Sequence, residues 1–150
     1  MAITMSSPAF GAGAPIPKKH TGEGEDVSPA LQWGGVPATA KELALICDDP
    51  DAPTPQPWVH WVLYKIPPHD GGLDEGKSGA ALDGLNSWGE RGYKGPMPPP
   101  GHGVHHYHFK LYALKAELNV GAGLTKDQLL AAMKGQILAQ GELVGTYERK

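Results

Sequence analysis

Three carboxylates stand within four residues in the stretch Asp48-Asp49-Pro50-Asp51-Ala52-Pro53. Proline locks its own φ and restricts the residue before it, so this loop is stiff and its carboxylates point in set directions. Neighbouring negative charges repel, and a loop built only to reverse the chain has no use for three of them. Two histidine-bearing segments complete the set, Trp58-Val59-His60-Trp61 and Gly103-Val104-His105-His106-Tyr107. A carboxylate that accepts a hydrogen bond from histidine fixes its tautomer and favours the imidazolium, leaving a donor aimed at an anion. Asp49 beside His60 and His105 is therefore expected to build a pocket for phosphate or carboxylate, with Tyr107 and loop amides as neutral donors. Asp49 is expected to face the cavity, Asp51 to tie the loop's own backbone, and Asp48 to be structural. A zwitterion such as phosphoethanolamine suits the set, its ammonium facing an aspartate and its phosphate the histidines.

The same residue types form a general acid/base set, so a hydrolase-like enzyme is an alternative. No Ser or Cys sits in a nucleophile motif, however, and a binding module with no chemistry of its own is the leading expectation. Asp49, His60 and His105 are also zinc-capable. The chain lacks a His-x-x-x-His or a Cys pair, and neither metal nor cofactor is expected.

These residues must be held by strands. Glu42 to Cys47 is an apolar run that reads as a strand buried on both faces, and the acidic loop starts where it ends. Val59 to Ile66 is rich in aromatic and β-branched residues and reads as a second strand. Alternation there puts His60 on one face with Trp58 and Val62. His105 to Leu114 is a third strand, with His105, Tyr107, Phe109 and Leu111 on one face. His106, His108 and Lys110 lie on the other, solvated face. Ile3–Ser7 and Leu31–Trp33 read as short strands. Residues 67–101 are dense in Gly and Pro, a long loop of the kind that carries function. Within it Met97-Pro98-Pro99-Pro100-Gly101 is stiff, polyproline-like backbone suited to one wall of a cavity. Thr125 caps a helix with Gln128 at the capping-box position, and the apolar stripe Leu129, Leu130, Met133, Ile137, Leu138 carries it to about Gln140. Gly141 marks its stop, and Glu142 to Tyr147 is a terminal strand.

At 150 residues the chain is read as one domain, 1–150. Gly and Pro together make 36 of the 150 residues, which, with clear apolar runs and no repeat, indicates a loop-rich, mostly β protein. The formal net charge of −3 gives no signal for nucleic acid or an anionic membrane. The single cysteine, Cys47, excludes an intrachain disulfide and sits in an apolar run as a core residue. No signal peptide and no membrane-spanning segment is recognised, so a cytoplasmic location is expected.

Asp49-Pro50-Asp51-Ala52-Pro53, Trp58-Val59-His60 and Gly103-Val104-His105-His106-Tyr107 resemble the three signature segments of the phosphatidylethanolamine-binding proteins, also called Raf kinase inhibitor proteins. The short chain and Leu-rich late helix resemble the bacterial and archaeal branch. The resemblance runs from Phe10 to Tyr147. It implies a β-sandwich-like fold, a large antiparallel sheet and a smaller one, with a C-terminal helix packed on one side. It also implies a small-anion or phospho-head-group pocket formed by Asp49, Asp51, Trp58, His60, His105 and Tyr107, with Pro98 and Pro99 at the rim. A protein partner, a kinase or a protease, bound through another surface is a further implication, and so is a homodimer. His106 stands where the family usually carries Arg, which makes any ion pair at that position weaker or pH-dependent. The pocket-gating C-terminal segment of eukaryotic members has no counterpart.

Overall fold

A computed structural model describes residues 2–150. Among the described residues, eight strands and one α-helix run in the order β1 (Thr4–Ser6), β2 (Leu31–Gly34), β3 (Glu42–Asp49), β4 (Trp58–Ile66), β5 (Gly71–Leu73), β6 (Leu82–Asp83), β7 (His105–Leu114), α1 (Lys126–Met133) and β8 (Ile137–Tyr147), with one 3-10 turn at Lys18–His20. They form a three-stranded sheet, β1-β2-β5, and a five-stranded sheet, β6-β4-β3-β7-β8, with antiparallel pairing throughout. One core fills the space between the sheets, where Leu31, Trp33 and Leu73 meet Leu43, Leu45, Phe109 and Leu111. A second lies on the far face of the large sheet, where Ala44, Ile46, Val62 and Tyr64 pack with Leu129 and Met133 of α1. β3 is the central strand and is buried at every position. This explains its continuous apolar run, because neither of its faces meets water.

Two β-bulges shape β4. Cys47 stands opposite Trp61 and Asp48 opposite Val59, so His60 is an extra residue with no partner in β3. A bulge of this kind re-aims side chains. Val59 and Val62 both pack on the helix side, Trp61 on the inter-sheet side, and His60 lies against Tyr107 of the inter-sheet core. The alternation expected from sequence, which paired His60 with Val62, is therefore broken between them. The second bulge carries Lys65 at φ 58°. It is pinned by the buried Glu42, whose Oε2 accepts the Lys65 amide at 3.2 Å and whose Oε1 accepts the Leu118 amide at 3.0 Å.

The helix ends at Met133, not near Gln140. Its start has the capping box, with Thr125 Oγ1 accepting the Gln128 amide and Gln128 Oε1 accepting the Thr125 amide. Its end is set by Gly135, whose φ of 78° lies in the left-handed region that glycine adopts freely. Ile137 and Leu138 belong to β8 and are exposed, so their helical spacing from Met133 is coincidental. Gly141 is not a helix stop. It pairs with Leu111 in the sheet, and a Cβ there would lie 2.2 Å from the carbonyl oxygen of Ile3.

That close approach reflects how the outer edge of β8 is covered. The Ile3 amide donates to Gln140 O, the Gly13 amide to Val144 O and the Ile16 amide to Thr146 O. The chain's own N-terminal segments thus satisfy an edge that would otherwise template intermolecular pairing. Strand addition at this edge is therefore not an open route to the homodimer expected from sequence. No helix among the described residues is long and apolar enough to cross a membrane.

Candidate functional site

Where β3 and β7 run side by side, Asp49 ends the first and His105 begins the second. His105 Nδ1 lies 2.6 Å from Asp49 Oδ2, with both side chains buried. Asp49 Oδ1 accepts the amide of Asp51 at 2.8 Å, so this one carboxylate fixes both the histidine and the proline-stiffened loop. A carboxylate can only accept here, so Nδ1 carries a proton. The other ring nitrogen, Nε2, lies 2.6 Å from His102 Nδ1. Two residues along β7, on the same face, Tyr107 is buried. Burial, and next the charge of Asp49, push its phenol pKa far above the usual value. The phenol thus stays protonated, and among the described residues it has no hydrogen-bond partner.

The bulge brings His60 of β4 to this group, its ring centroid 5.1 Å from that of Tyr107. His60 Nδ1 donates to the carbonyl of Lys94 at 2.6 Å. Burial lowers its pKa, overriding the opposing influences of the Lys94 carbonyl and Asp49. His60 is accordingly neutral around pH 7, with a lone pair on Nε2. This corrects the expectation of two imidazolium donors: His60 presents an acceptor, and His105 has both ring nitrogens engaged.

These side chains line a cavity of about 260 Å³ with Trp58, Pro98, Pro99, Ala52, Pro53, Thr54, Trp88 and Met97. That lies just below the usual range for drug-sized ligands and suits a small head group. Of the eight residues expected from sequence, Asp49, Trp58, His60, Pro98, Pro99, His105 and Tyr107 come together here, and Asp51 does not. Asp51 turns outward. Its Oδ2 accepts both the backbone amide and the ring Nδ1 of His106 at 2.7 Å. Desolvation raises the Asp51 carboxyl pKa, but these bonds outweigh it and hold the pKa below the usual value. It therefore clamps the loop to β7 rather than to itself, and it is Asp49 that braces the loop backbone. Asp48 is structural, its buried carboxylate 2.6 Å from Lys126 Nζ of α1 and 3.6 Å from Lys110 Nζ of β7.

Trp88 and His102 were not expected. Trp88 packs edge-on against Trp58 and His60 at centroid distances of 5.4 and 5.2 Å. It rides on a turn held by the buried Asn86, whose Oδ1 accepts the amides of Trp88 and Glu90. A lone tryptophan in a Gly-rich loop carries no periodic signal. His102 had one, since it stands three residues before His105 between two glycines. The cavity wall at 94–97 is anchored both to β4 and to the loop at residues 22–26. The Lys94 amide donates to His60 O, the Gly95 amide to Asp26 Oδ1 and the Gly22 amide to Pro96 O.

The sequence profile of the phosphatidylethanolamine-binding protein family matches residues 6–148. A crystal structure of the phosphatidylethanolamine-binding protein homologue CT736 of Chlamydia trachomatis superposes with a TM-score of 0.93. It is 44 % identical in sequence, with 99 % of each chain covered. A UPF0098 protein of Methanothermobacter thermautotrophicus is 44 % identical over 153 residues, covering 98 % of this chain and 99 % of its own. LppC of Mycobacterium tuberculosis, whose name marks it as a candidate lipoprotein, is 43 % identical over 147 residues, covering 97 % of this chain and 72 % of its own. This chain is an antiparallel two-sheet sandwich with an Asp-His-Tyr cavity at one end of its large sheet. The chain belongs to the phosphatidylethanolamine-binding protein family, in the company of its bacterial and archaeal members.

Proposed function

We propose that the protein binds a small phosphorylated or carboxylate head group, of the phosphoethanolamine type, in the Asp49–His105 cavity. The observation that carries this reading is the pairing of an unpartnered donor with an unpartnered acceptor: among the described residues, the protonated Tyr107 hydroxyl of β7 and the His60 Nε2 lone pair of β4 flank the central strand β3 and line one cavity. Such a pair fits a ligand that both accepts and donates, such as a phosphate oxygen beside an ammonium or a phosphate still carrying a proton. The indoles of Trp58 and Trp88 line the cavity and give it an apolar wall for an alkyl stem.

Binding without chemistry is favoured because, among the described residues, no free serine, threonine or cysteine nucleophile lines the cavity. Cys47 is buried with its thiol pKa raised by desolvation, and the Thr54 hydroxyl donates to Gln56 O. The location expected from sequence, the cytoplasm, belongs to the same proposal, with cell fractionation as its check.

Isothermal titration and NMR with phosphoethanolamine test the binding. Saturable binding is expected, with shifts at Tyr107, His60, Trp58 and Trp88. The Tyr107→Phe variant should bind about two- to tenfold more weakly, the worth of one neutral hydrogen bond. Absence of any cavity shift at millimolar ligand would overturn the proposal.

A further inference from the structure

His105 is sealed. Asp49 takes Nδ1, His102 takes Nε2, and the side chain is almost wholly withdrawn from water. His102 itself is exposed on the loop Gly101-His102-Gly103. Its glycines adopt φ of 72° and 92°, and the Gly101 amide is held by the carbonyl of Arg149 at 2.9 Å. With Nδ1 of His102 turned to His105, its own Nε2 is the ring nitrogen left facing solvent.

Three groups in line share two protons in the neutral state, one between Asp49 and His105 and one between the two imidazoles. A third can join only at His102 Nε2. When it does, the pair carries one positive charge, and either ring can hold it as the central proton shifts between the two nitrogens. We propose that His102 is a positioning residue of the anion site, the solvent-facing proton port through which the buried His105 gains its charge. The inference rests on the head-group reading given above. The wall of the cavity then has two states. With the pair neutral, Asp49 leaves it net negative. With the pair charged, Asp49 is balanced, and an anion enters without repulsion.

Other charged or titratable groups around the pair do not replace it. His60 on β4 stays neutral through burial. His106 is committed to Asp51 on the outer side of β7. Tyr107 remains protonated. Arg149 donates from Nε to Pro98 O, bracing the wall. Lys94 lies over the Trp88 ring and pairs with Glu90.

The test measures binding of inorganic phosphate by calorimetry from about pH 5.5 to 8.5, together with ring ¹⁵N shifts of ligand-free protein. The wild type should bind roughly tenfold or more tightly at the acid end. His102 and His105 should titrate as one coupled unit. His102→Gln keeps a hydrogen-bonding group but cannot share the charge, and should weaken phosphate binding at the acid end about tenfold. His102→Ala should weaken it likewise. An unchanged profile in both variants, or well-separated independent titrations of the two rings, overturns the role of His102 while leaving the cavity reading intact. If wild type binds phosphate at no pH, the head-group reading falls, and the coupled ring titration alone then decides the proton port.

Discussion

Replacing Asp49 with Asn changes one atom type and reverses one hydrogen-bond direction. In the native protein Oδ1 accepts the Asp51 amide at 2.8 Å and Oδ2 accepts from His105 Nδ1 at 2.6 Å, so both oxygens face donors. The amide of Asn offers one oxygen and one NH₂ group. If the oxygen keeps the Asp51 amide, the NH₂ meets the Nδ1 proton and forces His105 into its other tautomer, protonated on Nε2. That proton then points at His102 Nδ1, which must accept. The substitution removes one buried charge-assisted hydrogen bond, worth about 1.5–3 kcal/mol. For a chain of this size that lowers Tm by roughly 3–12 °C. The fold should survive, because the shape is kept and the surrounding core is untouched. Calorimetry gives the Tm, and long-range ¹H–¹⁵N NMR reads the tautomer directly. Retention of the Nδ1 proton on His105 in Asp49→Asn would refute the claim that this carboxylate sets the tautomer.

Three further outcomes follow from the same geometry. His60 has a folded-state pKa below its unfolded value, so it costs no stability above about pH 6.5 and destabilises the fold progressively as pH falls from there. His60→Asn should therefore show a shallower loss of unfolding free energy between about pH 6.5 and 5, and parallel slopes would refute the neutral, buried ring. Glu42→Ala orphans the Lys65 and Leu118 amides and removes a carboxylate near Lys65 Nζ. It should cost about 2–5 kcal/mol in urea unfolding, and a cost under about 0.5 would contradict the pinning of the second bulge. Gly141→Ala drives a Cβ to 2.2 Å from Ile3 O. It should cost about 1–3 kcal/mol and speed hydrogen exchange at the Ile3 amide, and unchanged exchange there would contradict the close approach.

Much of the sandwich can be read from residue order. The unbroken apolar run of β3 signals a central strand, the alternation of β7 separates a buried from a solvated face, and Thr125 with Gln128 marks the helix start. What escapes is decided by partners distant in the chain. The bulge at His60 arises from pairing with β3, and nothing local distinguishes Val-His-Trp-Val from a regular strand. The helix end is not legible, because Ile137 and Leu138 continue the 3–4 spacing by chance and the glycine at 135 competes with the one at 141 as a stop. β5 and β6 are two or three residues long and owe their strand character wholly to their neighbours. In the cavity, Asp49, His60, His105 and Tyr107 were legible as chemistry. Trp88 was not, being placed by the Asn86 turn, and Asp51 is drawn away by His106.

The covering of β8 by the first residues also dictates when the molecule can be finished. Ile3, Gly13 and Ile16 are synthesised about 130 residues ahead of Gln140, Val144 and Thr146, which they bond. At about 5–20 residues per second, these amides wait roughly 6–27 seconds for their acceptors. The N-terminal segments thus dock only after β8 is made, closing a loop of about 130 residues. A slow, topology-limited final step is the kinetic signature expected of such a closure.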